Sequence, residues 1–457
     1  SQSEADAAQI DVNSTISLMY PERRPFFQEG SDIFRTMFNS FYTRTVNDPR
    51  VTAKLTGRIG NTSVAYLMAQ DENTPYIIPL DEMNLMVNSG KSFVNVLRAI
   101  HTVGEDSRVG VLVGDRRFAK NGYGTVLSLD GDIRLSNNYS WLGQFIQTYS
   151  KEPVDPTLTS DFEGITFGRG KHTAAFDGES FNGTALITEL RRNARNWNFV
   201  IDYNQIHPSY RTEIGYDPVV NHRTGMIYSG YTFYSENSIF TQITPQINAF
   251  SRWSFDGIKK IDRINLGGYM GLKFAQTNIN FNFGQGSELF NEVMFKNLWQ
   301  ASVNIGSRFS KMVGLNLGAS YGKGIAYWAM SKGNETGLAA TINFKPSDRL
   351  TIDQSVNYSK STDIETGEEF FKGYITRTRV QFQFNREFSL RLVGQYNDFS
   401  KRWDIDPLLT YRLSPFSMLY IGSTYDVQHY DGNDMYKSMW KMSARQYFMK
   451  LQYLFQV

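Results

Sequence analysis

The chain has 457 residues, with 47 Lys and Arg against 45 Asp and Glu, five His and no Cys. A net charge of +2, with no basic block beyond pairs such as Arg23-Arg24, Arg116-Arg117 and Lys259-Lys260, gives a nucleic-acid partner no footing. The lack of Cys excludes disulfides, thiolate metal sites and cysteine nucleophiles. Apolar runs such as Val109 to Gly114 fall far short of the roughly 18 residues of a membrane helix.

The first strand is expected near Gln9. Pro21, Glu22, Arg23, Arg24, Pro25, Phe26 and Phe27 follow, and two prolines that fix φ and remove donors make this a loop. With Glu29 and Gly30 it belongs to a long connection, residues 21–50, that is expected to fold into a lumen and constrict it, as is segment 151–181. Residues 33–46 leave room for one more strand. Alternating segments of membrane-strand length, about 9–14 residues, then recur to the end. Trp197, Phe199, Ile201 and Tyr203 alternate with Asn198, Asp202 and Asn204. Ile279, Phe281 and Phe283 alternate with Asn278, Asn280 and Asn282. Leu350, Ile352, Val356 and Tyr358 oppose Thr351, Asp353, Ser355 and Asn357. The final stretch places Tyr447, Met449, Leu451, Tyr453, Phe455 and Val457 on one face, which suits the closing strand of a cylinder in lipid.

The connections are sorted as well. Tight turns fall at Gly60-Asn61, Asn137-Asn138, 193–196, 235–237, 275–277, 307–311, 346–348 and 413–415. Longer polar connections lie between them at 71–90, 115–122, 151–181, 207–223, 253–262, 284–296, 323–335, 360–370, 400–405 and 429–444. Short turns on one side and long loops on the other define the fold class. It is an all-β, transmembrane, antiparallel up-and-down β-barrel of about 22 strands (range 20–26), with periplasmic turns, extracellular loops and outer-membrane lipid around it. Residues 1–457 form one barrel, located in the outer membrane of a Gram-negative bacterium. An even count leaves both termini on the short-turn side.

Polar side chains are expected inside, among them Arg134, Arg191, Arg308, Arg377, Arg379 and Arg391. They read either as a selectivity ladder or, more simply, as partners of inward acids such as Asp130, Asp132, Glu189, Asp202 and Asp353. The Pro21–Gly30 loop reads as a contact for cargo or, preferably, as a loop pinned to the wall with Glu22 and Glu29 satisfying Arg23 and Arg24. Trp141, Trp197, Trp253, Trp299 and Trp403 suit an interfacial girdle, while Trp328 and Trp440 fall in or beside long loops. His101, His172, His207, His222 and His429 lack metal-ligand spacing, and the acidic run Asp363 to Glu369 lacks a calcium-loop pattern. His429 with Asp426, Asp431 and Asp434 is the one passable catalytic cluster. The expectation is therefore no enzyme, no cofactor and no metal. Gly122, Gly124, Gly322 and Gly324 are read as turn residues.

One stretch is more specific. Ser1 to Asp6, Ala8 to Asn13 and Tyr20-Pro-Glu-Arg-Arg-Pro-Phe-Phe-Gln-Glu-Gly-Ser-Asp-Ile-Phe34 resemble a Bacteroidota family of outer-membrane β-barrel proteins of unassigned activity. Leu55 to Gly60, Ala69 to Glu72 and Tyr210 to Pro218 are similar to that family's later landmarks. The resemblance implies a C-terminal barrel portion. Longer members carry an N-terminal family-nine-like carbohydrate-binding module, which is expected to be missing from this chain. It also implies glycan as cargo. The function expected is a channel or translocation barrel for glycans or glycan-bearing material. The alternative is a non-conducting scaffold that holds a surface lipoprotein or secretion component. An energised receptor-transporter would need a plug and a periplasmic coupling box, neither of which the sequence displays.

Overall fold

A computed structural model describes residues 12–22, 24–414, 417–430 and 439–453. One antiparallel sheet of 22 strands dominates it, running from Pro49–Ile59 to Met439–Gln452 with each strand paired to the next. His222–Tyr231 and Phe233–Tyr234 both pair with Phe240–Trp253, so they are two parts of one stave interrupted at Thr232. The 22 strands thus make 21 staves, and the first and last run in the same direction. Among the described residues each of these two has one neighbour, and their side chains are the barest of the sheet (Ile59 78% exposed, Met449 74%).

The strands form because their side chains satisfy two different surroundings at once. Phe93 and Leu97 are exposed while Val94 and Val96 between them are buried, and Val113 is exposed beside buried Leu112. Such strands are apolar on both faces, which is why Val109 to Gly114 reads as a continuous apolar run. Further along, Ile264, Leu266, Phe281, Phe283, Leu338 and Ile342 remain bare on one face. Their neighbours Asn265, Asn282 and Gln300 line the other. The bare face is an apolar band suited to lipid.

Hairpin ends are sorted as expected, though less evenly. One end carries only turns of five residues or fewer, such as the one that begins with Gly60 (φ +58). The other carries the long connections 72–91, 152–179 and 207–221. The long connections expected at 253–262, 284–296, 323–335, 360–370 and 400–405 are shorter. The strands Lys259–Leu272, Asn278–Phe290, Val293–Arg308, Val313–Ala326, Ser331–Ser347 and Leu350–Asp363 run through most of these residues. Polar residues do not end a ladder, because its backbone bonds continue equally well beyond the hydrocarbon. Gly322 and Gly324 likewise lie within a strand rather than a turn. A Cβ on Gly322 would come 2.1 Å from the Trp299 carbonyl oxygen, so close strand packing requires glycine there.

The strand expected near Gln9 lies outside the described residues. Residues 33–46 hold no strand: Pro25–Gln28 and Ser31–Phe34 are single helical turns and Thr43–Thr45 a 3-10 turn. Pro25 opens its turn, where a missing N–H costs nothing. Pro49 enters the sheet at the long-loop end, not the short-turn side, since Gly60-Asn61 closes the first hairpin at the opposite end. The odd number of staves among the described residues makes this unavoidable.

Leu266→Arg, in the middle of the bare band, should destabilise the folded barrel in lipid by about 2–4 kcal/mol. Gln300→Arg on the opposite face should cost about 1 kcal/mol or less. Urea titration of the protein folded into vesicles measures both.

Candidate functional site

The inner face of the sheet is divided. Over the strands of the first half, residues 12–48 lie against the wall and bury Phe27, Phe34 and Val46 among Leu67, Val94, Val96, Leu112, Val126 and Ile146. The wall reaches out to hold this segment. Arg98, 1% exposed, grips Asp130 through both terminal nitrogens (2.5 and 2.8 Å) and donates from Nε to the Ile33 carbonyl (3.2 Å). Gln144 accepts from Phe38 N–H (2.7 Å) and donates to Ser40 Oγ (2.8 Å). Arg116 donates to the carbonyl and hydroxyl of Thr45 (2.9 and 3.0 Å). Lys54 donates to the carbonyls of Phe26 and Glu29.

Within the segment, Arg24 pairs with Glu22 (2.6 Å), donates to the Val46 and Thr43 carbonyls, and lies over the Phe27 ring at 4.1 Å. Burial works against the Glu22 carboxylate, but hydrogen bonds from Arg24 and Thr43 hold it below its ordinary range. Gly30 takes φ +63 and faces Thr56, where a Cβ would come within 3.3 Å of a methyl group. The structure therefore gathers Pro21, Glu22, Arg24, Pro25, Phe26, Phe27, Glu29 and Gly30 into one wall-bound turn, with Arg23 outside the described residues. Glu22 serves Arg24, while Glu29 contributes its carbonyl to Lys54.

The second half of the inner face is polar. Arg263, Asn265, Asn282, Glu288, Gln300, Ser320, Lys323, Glu335 and Thr336 line a pocket of about 370 Å³. Asn13 closes one side, donating to the Ile325 carbonyl (2.7 Å) and accepting from Tyr327 N–H (2.8 Å). The Tyr327 hydroxyl donates to Glu288 (2.8 Å), and burial with that carboxylate pushes the phenol up. Amides and hydroxyls outnumber charges here. The lining offers donors and acceptors in many directions without a strong field of one sign.

The six expected arginines do not form one cluster. Arg134 and Arg308 are exposed near the short-turn end, and Arg134 donates to the Asn137 carbonyl. Arg191 pairs with Glu189 at 2.5 Å. Arg377 and Arg379 share a face with buried Ile375, and Arg379 meets Asp353 at 3.1 Å. Arg391, on the adjacent strand, sits opposite Gln381 and Leu408. Arg402, which the sequence does not single out, bridges Asp404 (2.6 Å) and Asp426 (2.9 Å).

A second set of buried charges sits among the long connections. Arg211 donates to Glu152 (2.7 Å) and to the Tyr76 hydroxyl (3.2 Å), and Tyr76 donates to Glu213 (2.9 Å). The Phe167 and Phe181 rings, packed edge to face, each lie 4.5 Å from the guanidinium. Burial opposes the charge of Arg211, but facing Tyr76, Glu152 and Glu213 hold it above its ordinary value. Burial raises Glu152 to about 7, and Arg211 offsets this only in part. Arg98 was legible in principle, as a charge on the same strand face as Val94 and Val96. Arg211 and Glu152 carry no such signal, because loop residues have no periodicity to violate.

No family model and no curated protein matches the chain. Solved structures do. The siderophore receptor PirA from Acinetobacter baumannii superposes with a TM-score of 0.53 at 9% identity, over 86% of this chain and 74% of that one. The copper transporter OprC gives 0.53 at 10% identity, over 88% and 77%. The FrpB iron transporter from Neisseria meningitidis gives 0.55 at 9%, over 88% and 79%. At such identities the likeness is one of fold. Together with the bare apolar band, it identifies an outer-membrane β-barrel of a Gram-negative cell.

Two outcomes follow. Arg98→Ala should cost about 3 kcal/mol, because it leaves the buried side of Asp130 without its cation. It should also expose residues 26–40 to limited proteolysis. Glu152 has a raised carboxylate, so its contribution is fully present below about pH 4.5 and is lost as pH rises through about 7. With divalent cations chelated, the loop 152–179 should resist protease better at pH 5 than at pH 8, and Glu152→Gln should flatten that difference.

Proposed function

We propose that the chain is an outer-membrane transport barrel that passes a polar, hydroxyl-rich solute of glycan type along the polar half of its inner face, with residues 12–48 narrowing the passage. One observation carries this reading: the inner face is sealed with apolar packing on one side and left as an amide- and hydroxyl-lined pocket on the other. A lining of this kind replaces the hydrogen bonds a neutral polar solute loses with water, and it neither traps nor repels by charge. The receptor and transporter roles of the neighbours of the same fold support passage as the general task. The glycan rests on the sequence resemblance at Pro21–Phe34.

A second reading is a non-conducting scaffold that holds a surface lipoprotein or secretion component. It is favoured by the long connections, which pack Tyr76, Ile78, Phe118, Phe167, Phe176 and Phe181 into their own core at one end. That end is more solid than a mere rim of loops.

Planar-bilayer conductance of the detergent-folded barrel separates the two. Passage predicts steady conductance that rises when Phe27→Ala and Phe34→Ala are combined, since each removes a buried ring worth about 3–5 kcal/mol to the seal. Soluble oligosaccharides should reduce that current. Silence of both the native and the doubly substituted protein would sink the channel and leave the scaffold.

A further inference from the structure

The long connection 152–179 brings together side chains that the transport reading does not use. Glu152 follows the strand Tyr139–Lys151, and Asp177 and Glu179 precede the strand Ser180–Arg192. Backbone pairing continues past the strand ends here: Glu152 N–H donates to the Glu179 carbonyl at 2.9 Å, and Val154 bridges Asp177. One carboxylate oxygen from each of Glu152, Asp177 and Glu179 lies within 4.8 Å of the others. His172 Nδ1 stands 3.1 Å from Glu179 Oε2.

Acids close together on a loop are common and mean little alone. Glu152 supplies the second observation. Its side chain is fully buried, Arg211 occupies Oε1, and Oε2 has no hydrogen-bond partner among the described residues. An ionised oxygen left unpaired inside a protein is costly, and a cation is the group that most readily satisfies it. Short of a proton, the charges do not balance without one. Arg211 is shared between Glu152 and buried Glu213, and Arg116 faces Asp71 as well as Glu213. Among the described residues no Lys or Arg pairs with Asp177 or Glu179, whose contacts are Thr173, His172 and the loop backbone.

We propose that Glu152, Asp177 and Glu179 form a divalent-cation site at the long-loop end of the barrel, with His172 orienting Glu179. Three carboxylates select a hard cation of the calcium or manganese kind over a soft one. The site would clamp the two ends of the connection 152–179 together where they leave the wall. No metal spacing shows in the sequence because Glu152 and Asp177 meet only through the sheet register.

The test uses the whole folded barrel, stripped with chelator, and the metals alone as probes. Calorimetry with Ca²⁺ and Mn²⁺ should give one equivalent bound, and Ca²⁺ should slow proteolysis within 152–179. Asp177→Asn lies away from the Arg211 pair, so the fold should stand. It should weaken binding at least tenfold with the circular dichroism unchanged. Glu213→Gln, next to Arg211 but outside the triad, should bind metal as the native protein does. The absence of heat with either metal at millimolar concentration would overturn the site. So would native-like binding by the Asp177→Asn protein.

Discussion

Hydrocarbon offers no partner to a backbone N–H or C=O, and every other feature of this molecule follows from that constraint. The chain meets it with one antiparallel ladder whose staves run 10 to 17 residues. A ladder with lipid on one side must present apolar side chains there, and pleating then turns every second residue inward. The inner face and the two rims are thus the places left for specificity. What distinguishes this barrel is how the inner face is used.

Half of it is treated as a protein core. Phe27 and Phe34 insert between wall residues that, in a wholly water-filled barrel, would be polar, and each ring gains about 1.5–3 kcal/mol by leaving water. Apolar packing alone would let the segment slide. Position is set by charges that have few places to go: Arg98 reaches a single carboxylate and one carbonyl, Arg116 the carbonyl and hydroxyl of Thr45. Displacing the segment would strand these donors in a dry layer, and that penalty fixes the register more sharply than dispersion does. The other half turns amides and hydroxyls toward the pocket, so the rigid side frames the polar side.

The long-loop end extends the same logic above the membrane. Connections 72–91 and 152–179 share an aromatic core, and Arg211 from the connection 207–221 lies against two of its rings while bonding Glu152. Residues 12–48 join that assembly through Tyr42 N–H on the Ile214 carbonyl and through Thr45. Segment and loops therefore stand or fall together, and a change at the rim is felt at the inner face.

The sequence by itself determined the ladder. Alternation at Trp197–Tyr203 or Ile279–Phe283, turn residues at Gly60-Asn61 and Asn137-Asn138, and the prolines that keep Pro21–Phe27 out of the sheet are local signals. Each depends on residues a few positions apart. The strand ends were less legible, because polar residues such as Lys323 and Lys332 continue a ladder as easily as they leave it. Tertiary structure alone decided which inward residues meet. Arg98 finds Ile33, Arg211 finds Glu152 and Tyr76, and Glu152 finds Asp177 through separations of dozens of residues or more. Register between strands and the path of an irregular segment bring them together. The scattered arginines make the same point, since residue type alone does not foretell their company. Periodicity is a property of neighbours along the chain, whereas a site is a property of neighbours in space.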